Sequence, residues 1–280
     1  MSDSVPSSAP SPTPPAAPDA PPPSAPPPRS RGIYLLPNLF TTGALFSGFF
    51  AIIAAAQGRI GEACVAVFIS AVLDGLDGRV ARLTNTQSEF GVQYDSLADL
   101  VSFGMAPALV MYHWSLFALK LDGPTLGKIG WLAAFLYAAC AAVRLARFNS
   151  QVEQVDKRWF IGLPSPAAAA VMASFVWTAH DLGQDGESLR YLAMAVTVVI
   201  GLLMVSRLRY PSFKGGKKGP GADRVPFLAV PIVIVAIVGV TIDTPKVLLA
   251  VFTLFALTGP LIARRMRGRG GEHVAGGDGG

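Results

Sequence analysis

Four aspartates crowd the stretch DGLDGRVARLTNTQSEFGVQYDSLAD, at positions 74, 77, 95 and 99. Asp74 and Asp77 are spaced i, i+3, so on a helix they are neighbours on one face. Gly78, Ala81 and Arg82 share that arc. Asp95 and Asp99 are spaced i, i+4, with Gly91 one turn earlier and Ser102 following on the same stripe. Two helix ends joined by a loop around 84–93 therefore aim four carboxylates at one spot. Carboxylates that close do not all stay ionised without counter-charge. A divalent cation supplies it, and hard oxygen ligands select Mg²⁺, Mn²⁺ or Ca²⁺. Paired metals suit displacement at phosphorus, where they neutralise the attacking and leaving oxygens. Gly75, Gly78 and Gly91 leave room for a ligand near the backbone. The planar fork of Arg82 suits a phosphate. The bland alternative, loop carboxylates solvating a helix turn, explains one aspartate better than four on two facing stripes.

These residues need elements to hold them, and the composition says what kind. Of the 280 residues 51% are hydrophobic and only 15% charged, with a mean hydropathy of +0.46. A soluble domain is nearer a quarter charged. The apolar residues gather in runs of about 20, the length of a membrane span. The expected fold is an all-α, polytopic membrane bundle with spans at 36–57, 63–83, 94–117, 129–148, 163–181, 189–206, 226–242 and 246–263. Residues 1–30 hold 12 of the 23 prolines and read as a disordered spacer without a signal-peptide pattern. Residues 31–265 form the membrane-embedded domain and 266–280 a Gly-rich tail. Carboxylates at a helix centre in a bilayer cost roughly 2.5–3.5 kcal/mol each, so these four need a purpose.

Orientation follows from Lys and Arg. With the N-terminus in the cytoplasm, 18 of the 23 fall on the cytoplasmic side and 5 on the other. Both termini and the aspartates then face the cytoplasm, as expected of a cell (inner) membrane protein. The basic loops lack interleaved aromatics, which argues against nucleic acid and for topology and anionic lipid. Cys64 and Cys140 are isolated in apolar runs and have no metal-site spacing. His113, His180 and His273 are given no chemistry.

The pattern Asp74-x2-Asp77-Gly78-x2-Ala81-Arg82-x8-Gly91-x3-Asp95-x3-Asp99 resembles, without a gap, the signature of the CDP-alcohol phosphatidyltransferase family. The resemblance implies six core transmembrane helices, usually in a homodimer, with two further C-terminal helices here. It implies two metal ions, Mg²⁺ or Mn²⁺, on Asp74, Asp77 and Asp95, with Asp99 contributing and acting as general base. Gly78 and Arg82 would contact the CDP part of CDP-diacylglycerol. Ala81 and Gly91 complete that frame.

Four more segments are similar to the branch of the family whose acceptor is L-serine: YLLPNLFTTGALFSGFFAI, SLADLVSFGMAPA, RLARFN and FIGLPSPAAA. That implies phosphatidyl transfer to serine with release of CMP. Asn38, Thr41 and Thr42 form a polar stripe on an apolar span. Two readings stay open for it: contact with the donor's cytidine or phosphate, or hydrogen bonding between helices, worth about 0.6 kcal/mol per contact in membranes. Arg144 and Arg147 are spaced i, i+3 at the end of the fourth span, with Asn149 beyond. They either snorkel or hold the acceptor's carboxylate, and the Trp159–Pro166 segment would fold as a loop over them. Rival readings are another acceptor alcohol, such as glycerol-phosphate or inositol-phosphate, a membrane prenyltransferase, and an ion-coupled transporter. Transporter sites lie near the midplane, whereas these aspartates lie near a helix end.

Overall fold

The computed structural model describes residues 32–84, 88–150, 159–211 and 243–272. Helix α1 (Gly32–Ala56) and helix α2 (Ile60–Thr84) are joined by a tight turn at Gln57–Arg59, where Gly58 takes a φ of 77°. A continuous helical segment follows, made of α3 (Glu89–Asp99), a π-helical stretch (Leu100–Met105) and α4 (Ala106–Trp114). A 3₁₀ stretch (Leu116–Asp122) bends away from it by 41°. Helices α5 (Pro124–Ser150), α6 (Ser165–Asp181), α7 (Arg190–Val205) and α8 (Thr244–Glu272) complete the described bundle. A small antiparallel pair, β1 (Trp159–Ile161) and β2 (Arg209–Pro211), links the segments after α5 and α7.

The all-α polytopic expectation holds. Helices occupy seven of the eight expected spans; the remaining one, 226–242, lies outside the described residues. Pro37–Ala56, Pro124–Ser150 and Thr244–Ile262 are long and apolar enough to cross a membrane, and the bent pair Glu89–Trp114 with Leu116–Asp122 makes a fourth. Helix α2 is as long as α1, at 25 residues, but carries the charges of the site. Helices α6 and α7, at 17 and 16 residues, are at the short end for a span. Large apolar side chains such as Phe46, Ile69, Leu132 and Phe135 point outward. Where water is scarce the backbone must satisfy itself, which helices do.

The interior is built from small residues, as expected where helices associate by close packing in lipid. Ala51, Ala54, Ala63 and Ala66 line the α1–α2 seam, and α6 buries Ala167 to Ala170 and Ala173. Ser70 and Ser102 both donate to the Ala44 carbonyl, at 2.8 and 3.1 Å. They knot α1, α2 and the π turn together. Gly48 makes that crossing possible, since a Cβ there would lie 2.8 Å from the Cα of Ser102.

Three local features depart from the sequence-based expectation. The Gly91–Asp95–Asp99 stripe does not continue to Ser102, because the helix widens over 100–105 and turns Ser102 into the core. The Trp159–Pro166 segment is a strand, a turn and a helix start. The last helix runs to Glu272, beyond the expected span end at 263.

Candidate active site

Helix α2 ends in its charged turns, and Ser88 starts α3 as a side-chain cap, its hydroxyl accepting from the Gly91 amide at 3.0 Å. The two helix ends bring Asp74, Asp95 and Asp99 together: one oxygen from each lies within 4.8 Å of the others. One oxygen of Asp95, Oδ1, is buried with no hydrogen-bond partner among the described residues. Burying an unpaired carboxylate oxygen is costly unless a cation or proton completes it. An all-carboxylate donor set of this kind fits Mg²⁺ or Mn²⁺ and fits softer metals poorly.

Asp77 sits beside this trio but is turned toward α1. It is 5% exposed and accepts from the Thr41 hydroxyl at 2.6 Å. Of the two readings of the polar stripe, Thr41 and Thr42 take the helix–helix one here. Thr42 shares a 2.9 Å hydrogen bond with the Tyr94 hydroxyl. Asn38 faces α3 across Gly91, where an added Cβ would come within 3.7 Å of its Oδ1 and 3.1 Å of the capping Ser88 Oγ. Gly75 and Gly78 border open space, with nothing within 4 Å of an added Cβ. Arg82 is exposed, and its Nε donates to the Gly78 carbonyl one turn back at 2.8 Å. Ala81 is half-buried.

On the other side, α5 contributes Arg144. Its Nη1 donates to Ser165 Oγ at 2.7 Å, its charge acts on Asp99, and its Nε is buried without a partner among the described residues. Arg147 is half-buried one turn on. Asn149, expected near the acceptor, instead donates to Ser96 Oγ at 2.9 Å and fastens α5 to α3. Ser165 is a contributor that sequence reasoning missed. Its signal is its position, just after Pro164 and before Pro166 at the start of α6, where a helix begins.

The π-helical turn follows Asp99 directly. The donor that an α-helix would offer to the Phe103 carbonyl belongs to Pro107, which has no N–H. The Ala106 amide reaches back five residues to Val101, and the buried Tyr137 hydroxyl donates to the Phe103 carbonyl at 3.1 Å. Gly104 lets α5 close on this turn, since an added Cβ would lie 3.2 Å from that of Ala141. An apolar groove between α1 and α2, lined by Gly43, Phe46, Val65, Ile69 and Leu73, begins one residue from Asp74.

Residues 34–203 match the family model described as CDP-alcohol phosphatidyltransferase. A Helicobacter pylori protein named CDP-diacylglycerol–serine O-phosphatidyltransferase is 42% identical over 182 residues, 65% of this chain and 74% of that protein. Proteins of the same name from Bacillus subtilis and Methanocaldococcus jannaschii are each 34% identical, over 179 and 148 residues. The first match covers 64% of this chain and 91% of the relative, the second 52% and 62%. With the matched region spanning both aspartate-bearing helices and Arg144, the chain belongs to the CDP-alcohol phosphatidyltransferase family.

Proposed function

We propose that the chain transfers the phosphatidyl group of CDP-diacylglycerol to L-serine, giving phosphatidylserine and CMP. The observation that carries this is the Asp74–Asp95–Asp99 cluster with a buried, unpartnered Asp95 oxygen and the Arg144 guanidinium across from Asp99. The shared name of the relatives supports serine as acceptor.

In this reading Asp74, Asp95 and Asp99 would hold divalent metal, Mg²⁺ or Mn²⁺, with Asp77 beside them completing the set. Two such ions, when bound, neutralise charge on the attacking and leaving oxygens. The donor's acyl chains lie along the α1–α2 groove. Its CDP part sits over Gly75 and Gly78, with Arg82 on a phosphate. Asn38, Ala81 and Gly91 shape the same space. Arg144 binds the serine carboxylate, and Arg147 lies one turn away. The serine hydroxyl attacks the phosphorus that carries diacylglycerol. Its proton passes to Asp99 as the new P–O bond forms, and the bond from that phosphorus to the bridging oxygen breaks, so that the oxygen leaves with CMP. Holding the acceptor by its carboxylate next to the base supplies proximity, which can be worth several kcal/mol.

We place the catalytic domain at 31–265, between the N-terminal tail (1–30) and the C-terminal tail (266–280). The site and both termini face the cytoplasm of a cell membrane, and the protein acts as a homodimer surrounded by lipid. The test is an acceptor screen with purified protein, CDP-diacylglycerol and Mg²⁺ or Mn²⁺, reading CMP. Serine should release CMP; release with glycerol-phosphate or inositol-phosphate and none with serine would replace this acceptor by another.

A further inference from the structure

The family model ends at residue 203, yet the chain continues into β2 and α8. We propose that Tyr210 is a positioning residue that, locked on α8, sets the acceptor side of the active site. This rests on the reading of Arg144 as the acceptor's carboxylate ligand.

The connection can be followed atom by atom. Tyr210 lies in β2 and is fully buried. Its hydroxyl donates to the Ala256 carbonyl of α8 at 3.2 Å, and its ring lies on Gly259, where an added Cβ would overlap it. Tyr210 pairs with Phe160 of β1. One residue past β1 the chain turns at Gly162, whose φ of 82° and contact with the Met204 carbonyl admit no side chain. The Gly162 amide donates to the Leu208 carbonyl at 2.8 Å, and the Leu163 amide to the Leu203 carbonyl at 3.0 Å. Leu163 is fully buried. Two residues later Ser165 accepts from Arg144. The turn at 162–163 is therefore held by two backbone bonds to the segment 203–208. The place where Ser165 meets Arg144 depends on where β2 sits, and β2 sits where α8 holds Tyr210. Among the described residues, none of Tyr210, Gly162, Leu163 and Ser165 lines the groove between α1 and α2, so a disturbance at Gly259 should reach the acceptor side through Arg144 and spare the donor.

Gly259→Ala introduces the overlap, and Tyr210→Leu removes the ring atoms that meet it. Gly259→Ala should raise the apparent KM for serine at least fivefold, while the KM for CDP-diacylglycerol stays within twofold. Tyr210→Leu should also raise the serine KM, and adding Gly259→Ala to it should change the value less than twofold. A serine KM unmoved by Gly259→Ala, with turnover merely scaled down by loss of folded protein, overturns the proposal. A second arm needs no turnover. Leu163→Cys, in a background with Cys64 and Cys140 replaced by Ala, should react slowly with a maleimide, and at least fivefold faster once Gly259→Ala is added. An unchanged rate overturns the clamp even if the protein uses another acceptor; a faster rate without serine turnover upholds the clamp and removes the serine reading.

Discussion

Replacing Arg144 by Lys keeps a positive charge at the end of α5 and removes the planar fork. Two features give the size of the effect. The wild-type guanidinium donates from Nη1 to Ser165 Oγ at 2.7 Å, and its buried Nε has no partner among the described residues. An ammonium cannot hold Ser165 and the acceptor's carboxylate in one plane. A hydrogen bond to a charged group contributes about 1.5–3 kcal/mol, and about 1.4 kcal/mol is a factor of ten. The apparent KM for serine should therefore rise by about 10- to 100-fold in Arg144→Lys. The KM for CDP-diacylglycerol should move by less than about twofold, because α1 and α2 line its groove. The assay is CMP release at saturating donor with serine varied, repeated with serinol, which lacks the carboxylate. Serinol should be a poor acceptor for the parent and lose nothing further in the variant. Equal losses for serine and serinol would refute the carboxylate reading and leave Arg144 as a group that orients Asp99 or α6.

Four further outcomes are expected. Asp95→Asn should lower kcat/KM by several kcal/mol of transition-state stabilisation and weaken Mn²⁺ binding seen by electron paramagnetic resonance, while the protein still inserts. Tyr137→Phe leaves the buried Phe103 carbonyl without its side-chain donor and should destabilise the bundle by about 1–3 kcal/mol in thermal melts. Thr41→Val removes the 2.6 Å donor to the buried Asp77 and should lower activity, whereas Thr41→Ser should keep most of it. For topology, a cysteine at Ser150 should be labelled from the cytoplasm and one at Gln184 from the opposite side; both positions are exposed. Reversed labelling would put the site on the wrong face for soluble serine.

Features that repeat at short range could be read from the chain. The i, i+3 and i, i+4 aspartate pairs define a face once a helix is assumed, and apolar runs of span length define the helices. The convergence of Asp74, Asp95 and Asp99 was therefore legible, but the extent of the connection was not: α3 already begins at Glu89, inside the expected loop of 84–93. Contacts made across the bundle were not. Nothing in the order of residues says that Thr41 spends its hydroxyl on Asp77, or that Asn149 reaches Ser96. The π turn depends on Pro107 nearby, which can be read, and on Tyr137 a helix away, which cannot. Arg144 was visible as a charge at a span end, but its partner Ser165 lies on another helix and meets it only across the bundle.

The most direct measurement is product formation with its metal dependence. Purified protein would be given CDP-diacylglycerol and isotopically labelled serine, with Mn²⁺ or Mg²⁺, and phosphatidylserine and CMP would be counted together. The account predicts equal amounts of the two products, none of either in excess chelator, and recovery when the metal is returned. Full activity in excess chelator, or CMP release that does not need serine, would contradict it.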